Sequence, residues 1–182
     1  LEPSPAMVGE LQEHLTGNRI GNVAIVQAAW SANVVPPHDL ILVANVAPIF
    51  DNLPPFVAEA ATLARRAIAL VQNVGPGHEK FFAGELYPLL LGKPHPPRSD
   101  YLCTVSLLHR LGIYANVQII GYRFDQPFDA FAEAVQFWKD SLRLATPVQE
   151  RRLIAFLEGR LEKIGDRWIA PMRRQSAVIW WR

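Results

Sequence analysis

A chain of 182 residues, half of them apolar, can bury one sizeable core and is expected to form a single domain over residues 1–182. Its 18 Lys and Arg nearly cancel its 17 Asp and Glu, so the strong positive field of a nucleic-acid binder is absent and no nucleic-acid partner is expected. A single cysteine, Cys103, excludes an internal disulfide and every multi-cysteine metal site, and fits a reducing, cytoplasmic compartment.

The chain opens at Leu1, inside what reads as the end of a strand, and has no charged-then-apolar leader; an N-terminally truncated domain is expected. Ser4-Pro5 supplies an N-cap and a first-turn proline, and Met7, Val8, Leu11 and Leu15 then recur at helical spacing up to Gly17-Asn18. Asn22 to Gln27 is a short β-branched run, and Leu40 to Val46 and Ala67 to Val74 are near-continuous apolar runs of the kind buried on both faces of a parallel sheet. The stretch Leu40 to Phe50 contains Asn45 and Pro48 and falls far short of the ~20 residues a membrane helix needs, so no membrane partner is expected. Pro54-Pro55 opens a helix predicted to turn Val57, Ala60, Ala61, Leu63, Ala64 and Ala67 inward and Glu59, Arg65 and Arg66 outward.

Gly75-Pro76-Gly77 then breaks the chain, a helix is predicted from about His78 to Leu91, and the Lys93–Ser99 loop is rich in proline. Ser99 or Asp100 caps a helix with Tyr101, Leu102, Val105, Leu108 and Leu111 on one face, stopped by Gly112. Ile113 to Phe124 reads as a strand. Helical spacing returns at Phe131, Val135, Trp138 and Leu142, and again at Leu153, Leu157, Leu161 and Ile164 behind a Thr146-Pro147-x-Gln149 capping box. Ser176 to Trp181 is the last predicted strand. Strands alternating with helices argue for an open, mostly parallel α/β sheet with helices on both faces. The helix pair at about 127–164 is an insertion before a last strand that can run antiparallel.

In such sheets ligands lie beyond the carboxyl ends of the strands, and three of those ends carry candidates. Glu2 could accept hydrogen bonds from both hydroxyls of a ribose, since a carboxylate offers an acceptor pair, or be a solvated terminal residue. Ala28 and Ala29 are small enough for a flat purine to approach the backbone; Trp30 could cover the purine or belong to the core. Asn45 carries donors and an acceptor suited to a zwitterionic amino-acid group, or ties down its own loop.

The series Glu2-Pro3-Ser4-Pro5-Ala6-Met7, then Asn22 to Trp30, then His38 to Val46 resembles the second, third and fourth strand regions of class I S-adenosylmethionine-dependent methyltransferases. The similarity continues through Val74-Gly75-Pro76-Gly77 to Ser176–Trp181 and covers nearly the whole chain. It implies a Rossmann-like sheet of order 3-2-1-4-5-7-6 with an antiparallel seventh strand, and S-adenosylmethionine as cofactor. Glu2 would then bind ribose, Ala28, Ala29 and Trp30 would flank adenine, Asn45 would lie near the methionine moiety, and Val46 would face the acceptor. The family's first strand and its glycine-rich turn have no counterpart here. Methyl transfer is an in-line displacement that an enzyme can promote by alignment and exclusion of water, so no dedicated base is required and the catalytic residue stays unassigned. His78 and Tyr101 are candidates beside a small-molecule or unidentified methyl acceptor, while His109, among apolar neighbours, reads as structural.

The five histidines show no metal-ligand spacing, and neither a phosphate-cradling loop nor a nucleophile elbow occurs. The basic set Arg151, Arg152, Arg160, Lys163, Arg167, Arg173 and Arg174 is interleaved with Glu150, Glu158, Glu162 and Asp166 and reads as a salt-bridged, solvated face. Two readings of other classes stay open: a non-catalytic or truncated α/β homologue that binds a partner through the helix pair, and a nicotinamide-dependent oxidoreductase.

Overall fold

The computed structural model describes residues 1–31, 33–75, 80–96 and 100–182. They form a mixed α/β structure in two compact units: residues 1–41, 54–68 and 182, and residues 42–53 and 69–181.

In the first unit, helix α1 spans Pro5–Gly17; the Ser4 hydroxyl accepts the Met7 N–H at 3.4 Å, as the Ser-Pro start predicts. Only Val8 of its apolar stripe is buried, while Met7 and Leu11 stay exposed. Residues 22–27 are not a strand. The only backbone hydrogen bond tying them to another segment among the described residues is Glu2 N–H to Val26 O, 3.1 Å, and one such bond makes no ladder. Strand β1, His38–Ala44, buries Ile41 and Val43 but leaves Leu40 53% and Leu42 60% exposed, so the expected burial on both faces is not met. Helix α3, Leu53–Leu63, buries Phe56, Val57, Ala60 and Leu63. Strand β2, Ala64–Asn73, follows at once. Ala64, expected in the helix, is in the strand with the expected Ala67–Val74 run, because strand pairing overrides even alanine's strong helical propensity.

In the second unit, Ala47–Asp51 forms the short helix α2. The helix expected to reach Leu91 is instead three pieces: a 3-10 turn at Lys80–Phe82, helix α4 at Ala83–Leu86, and a π turn at Tyr87–Leu91 closed by Gly92 in the left-handed region. Pro88 cannot donate to the ladder, and Phe81 and Phe82 both take positive φ (53° and 55°), so no continuous helix can pass through. Asp100 accepts the N–H groups of Leu102 and Cys103 at the start of helix α5, Tyr101–Arg110. Of the expected face, Leu108 is buried and Tyr101 and Val105 half-buried, while Leu102 and Leu111 are exposed and Thr104 is buried in their stead.

The main sheet has strand order β1-β2-β7-β3, where β3 is Asn116–Arg123 and β7 is Arg173–Trp181. The β3–β7 pairing is antiparallel, from Asn116 opposite Trp180 to Arg123 opposite Arg173. Asn45 N–H, just past β1, reaches Val71 O at 2.9 Å, so β1 and β2 finish at the same end. Val74 N–H reaches Gln175 O at 3.1 Å, which sets the end of β2 beside the start of β7. By pairing, antiparallel neighbours dominate, yet β1, β2 and β3 point the same way and β7 alone runs against them, the antiparallel last strand that the sequence allowed.

A second, three-stranded antiparallel sheet, order β4-β6-β5, was not foreseen; β4 is Gln126–Phe128, β5 Glu162–Ile164 and β6 Arg167–Ala170. It accompanies the expected helix pair, α6 at Phe131–Leu142 and α7 at Pro147–Glu158. The Thr146–Gln149 capping box opens α7, with the Thr146 hydroxyl accepting the Gln149 N–H at 3.3 Å and the Gln149 carbonyl accepting the Thr146 N–H at 3.2 Å. The helix ends at Glu158, not Ile164. Gly159 stops it, and the Gly165 turn, at φ 60°, folds Glu162–Ile164 back on Arg167–Ile169, so Ile164 is exposed. Leu86, Leu90, Phe128, Trp138, Leu153, Leu157 and Ala170 form one buried cluster, with Trp138 only 1% exposed. No helix among the described residues is long and apolar enough to cross a membrane.

Candidate functional site

Of the residues singled out in the sequence, Glu2, Ala28, Ala29 and Trp30 belong to the first unit, and Asn45, Val46 and Tyr101 to the second. His78 lies outside the described residues.

The first unit brings Glu2 beside the 26–28 segment. Its backbone N–H bonds Val26 O at 3.1 Å, and the same carbonyl takes the Ala28 N–H at 3.0 Å. The half-buried carboxylate accepts the Ser4 N–H on Oε1 at 2.9 Å, which fixes its rotamer and leaves Oε2 without a partner among the described residues. An oriented carboxylate with one open oxygen, next to the small Ala28 and Ala29, can accept from a pair of vicinal hydroxyls. Trp30 is committed to α3: its indole N–H bonds Glu59 Oε2 at 2.9 Å and its ring packs on Phe56 at 4.9 Å. It can offer a ligand only the ring surface that Phe56 leaves uncovered.

In the second unit Asn45 holds φ at 55°, a left-handed conformation that asparagine tolerates better than most side chains, and Val46 is exposed at the start of α2. Tyr101 is half-buried in the first turn of α5. His109, exposed in the last turn of α5, lies edge-on to the ring of Tyr114, itself 78% exposed. No group of three or more His, Cys, Asp or Glu among the described residues could hold a metal ion.

A cavity of about 500 Å³ that sequence reasoning did not identify opens at the end of the main sheet where β2 finishes and β7 begins. Phe82, Pro171 and Met172 form its apolar wall, and Glu85, Arg160 and Arg173 its polar one. The left-handed Phe81-Phe82 turn is clamped by two hydrogen bonds: Trp138 Nε1–H to Phe81 O at 3.0 Å, and Phe81 N–H to Met172 Sδ at 3.3 Å. Phe82 stacks on Trp138 with ring centroids 5.8 Å apart. Two adjacent strained residues held in this way are the kind of outlier that collects at working sites. Arg160 pairs with Glu85 and lies 5.3 Å over the Phe156 ring. Asp125 receives Arg123 Nη2–H at 2.6 Å and the Met172 N–H at 3.1 Å, and these donors, Arg123 first, hold its carboxyl below the ordinary value of 3.8. The basic residues of the C-terminal third pair with distant acids, Arg160 with Glu85 and Arg167 with Asp129, and not with the acids interleaved in sequence.

Among solved structures, the chain is similar to a candidate methyltransferase from Bacillus halodurans C-125, with 17% identity, 98% of this chain and 79% of that chain covered, and a TM-score of 0.49. It is also similar to the YcgJ protein of Bacillus subtilis, with 16% identity, coverage of 97% and 79%, and a TM-score of 0.46. No protein-family model matches the chain, and no curated protein matches it.

Proposed function

We propose that this chain is a Rossmann-like, class I methyltransferase domain that moves the methyl group of S-adenosylmethionine to an acceptor not yet identified. The observation that carries the reading is topological. The last strand of the chain is inserted between β2 and β3 and runs antiparallel to β3. With β1, β2, β3 and β7 taken as the fourth, fifth, sixth and seventh strands of the resemblance, the order β1-β2-β7-β3 corresponds to its 4-5-7-6 half. A last strand joining between two earlier ones requires long crossovers and is not what simple hairpin addition produces.

Bound S-adenosylmethionine would supply an electrophilic sulfonium methyl. In this reading Glu2 accepts from the ribose hydroxyls through the oxygen that Ser4 leaves open, Ala28 and Ala29 flank the adenine, and Asn45 serves the methionine moiety. In the same reading Val46 and Tyr101 belong to the acceptor side. The chain's part is alignment and exclusion of water, which needs no dedicated base. Cys103, free and exposed, is consistent with a cytoplasmic setting. The alternative is a non-catalytic homologue that binds a partner through the helix pair; Trp138 of α6 and Phe128 of β4 are buried in the core and take no part in such a surface.

Calorimetric titration of S-adenosylhomocysteine into the full chain and into its Glu2→Ala variant tests this. Loss of hydrogen bonds to a charged acceptor predicts affinity weaker by about 1.5–3 kcal/mol, roughly 10- to 150-fold. No binding to the wild-type protein would overturn the methyltransferase reading, and equal affinity for both proteins would remove Glu2 from the site.

A further inference from the structure

Among the described residues, the lining of the cavity at the end of β2 holds two guanidinium groups, Arg160 and the exposed Arg173, against one carboxylate, Glu85. Arg173 and Arg123 face each other across the β3–β7 ladder, a like-charge pairing that costs stability in an antiparallel sheet. Arg123 is relieved by Asp125, and the next residue along β7, Arg174, bonds Asn73 Oδ1 and lies 4.8 Å over the Phe124 ring. Arg160 is relieved by Glu85. Arg173 alone has neither an acidic partner nor a hydrogen bond among the described residues, and it lines the cavity. Four guanidinium groups, those of Arg123, Arg160, Arg173 and Arg174, therefore share two carboxylates, Glu85 and Asp125.

We infer that this cavity binds a small organic oxyanion, a carboxylate attached to an apolar or aromatic body, with Arg173 as the anion anchor and Phe82 and Met172 as the apolar wall. The guanidinium fork matches a carboxylate in two parallel hydrogen bonds. A volume of about 500 Å³ is that of a small-molecule pocket, not of a macromolecular groove. The wall is rigid where it must be: Phe82 is stacked on Trp138 and edge-packed on Phe156 at 5.7 Å, and the turn that presents it is fixed through Phe81. The position suits an acceptor, because it lies at the carboxyl ends of β2 and β3, where open α/β sheets take their ligands. Calling the bound anion the methyl acceptor rests on the function proposed above; the anion site itself rests only on the cavity.

The test is an amide-resolved NMR titration of the full chain with 4-hydroxybenzoate and, separately, with its neutral methyl ester. The acid is expected to shift the amides of Phe82, Met172 and Arg173 with at least tenfold tighter binding than the ester, and Arg173→Gln is expected to abolish that preference while Arg173→Lys retains part of it. Equal binding of acid and ester, shifts elsewhere in the molecule, or an unchanged preference in Arg173→Gln would overturn the inference. S-adenosylhomocysteine titrated into the same samples separates the two proposals. Cofactor binding without carboxylate binding sinks the anion site and leaves methyl transfer standing, and the reverse result keeps the site and removes its role as acceptor pocket.

Discussion

Replacing Thr104 by valine removes one hydroxyl and keeps the β-branched outline, so its effect isolates a single buried hydrogen bond. Thr104 is 3% exposed and donates from Oγ1 to Gln72 Oε1 at 2.6 Å, and Gln72 is itself only 5% exposed. The bond therefore ties α5 to β2 where water does not reach. Its net contribution is about 1 kcal/mol, but valine also strands the Gln72 carbonyl, which raises the expected cost to roughly 2 kcal/mol. With a urea dependence of about 2 kcal/mol/M, the unfolding midpoint should fall by about 1 M at unchanged slope. A second substitution, Gln72→Leu, removes the stranded acceptor, and the double variant should recover at least half of the loss. Unfolding of Thr104→Val within about 0.5 kcal/mol of the wild type, or a double variant no more stable than the single one, would refute a stabilising buried bond between Thr104 and Gln72.

Two further outcomes follow from backbone and charge. Asn45 sits at φ 55°, so Asn45→Gly should melt close to the wild type, whereas Asn45→Val should lose about 1–2 kcal/mol in a thermal unfolding series. Asp125 is held below its ordinary value of 3.8 by the Arg123 hydrogen bond and then by the Met172 N–H, so the unfolded chain binds its proton first as pH falls. Its stabilisation is thus complete above the ordinary value and disappears as pH drops through the lowered one. Urea midpoints of the wild type and Asp125→Asn should differ by a constant gap near neutrality and converge below 3.8; a gap that persists into strong acid would show that another group is responsible.

Local chemistry was legible in the sequence wherever one residue does one job. Ser4, Asp100 and the Thr146–Gln149 box cap the helices they were expected to cap, and the runs around Ile41, Leu70 and Ile179 are strands. Short strands were not legible: three or four residues at 126–128, 162–164 and 167–170 show no usable period, and Leu161 and Ile164 happen to continue the helical spacing of α7. Nor does a Phe-Phe dipeptide announce two left-handed residues; Trp138 and Met172, far away in sequence, impose them. The same distance hid the cavity, whose walls come from residues 82–85, 160 and 171–173. Of the candidate site, Glu2 and Ala28 were read at the ends of two strands; no strand forms at either place, and the hydrogen bonds through Val26 and Ser4 supply the orientation that no residue pattern encodes.

The place of β7 in the main sheet also bears on how this part of the molecule assembles. The β5–β6 hairpin and the α6–α7 pair join neighbours in sequence and can organise around Trp138 from local encounters. The gap between β2 and β3, by contrast, stays open until a strand that begins at Arg173 returns to lie beside one that ended at Asn73. Loop closure over that span is slow compared with hairpin formation. The inner edges of β2 and β3 can be paired only once β7 has arrived, and the cavity at their carboxyl ends depends on the same arrival, because Arg173 lines it.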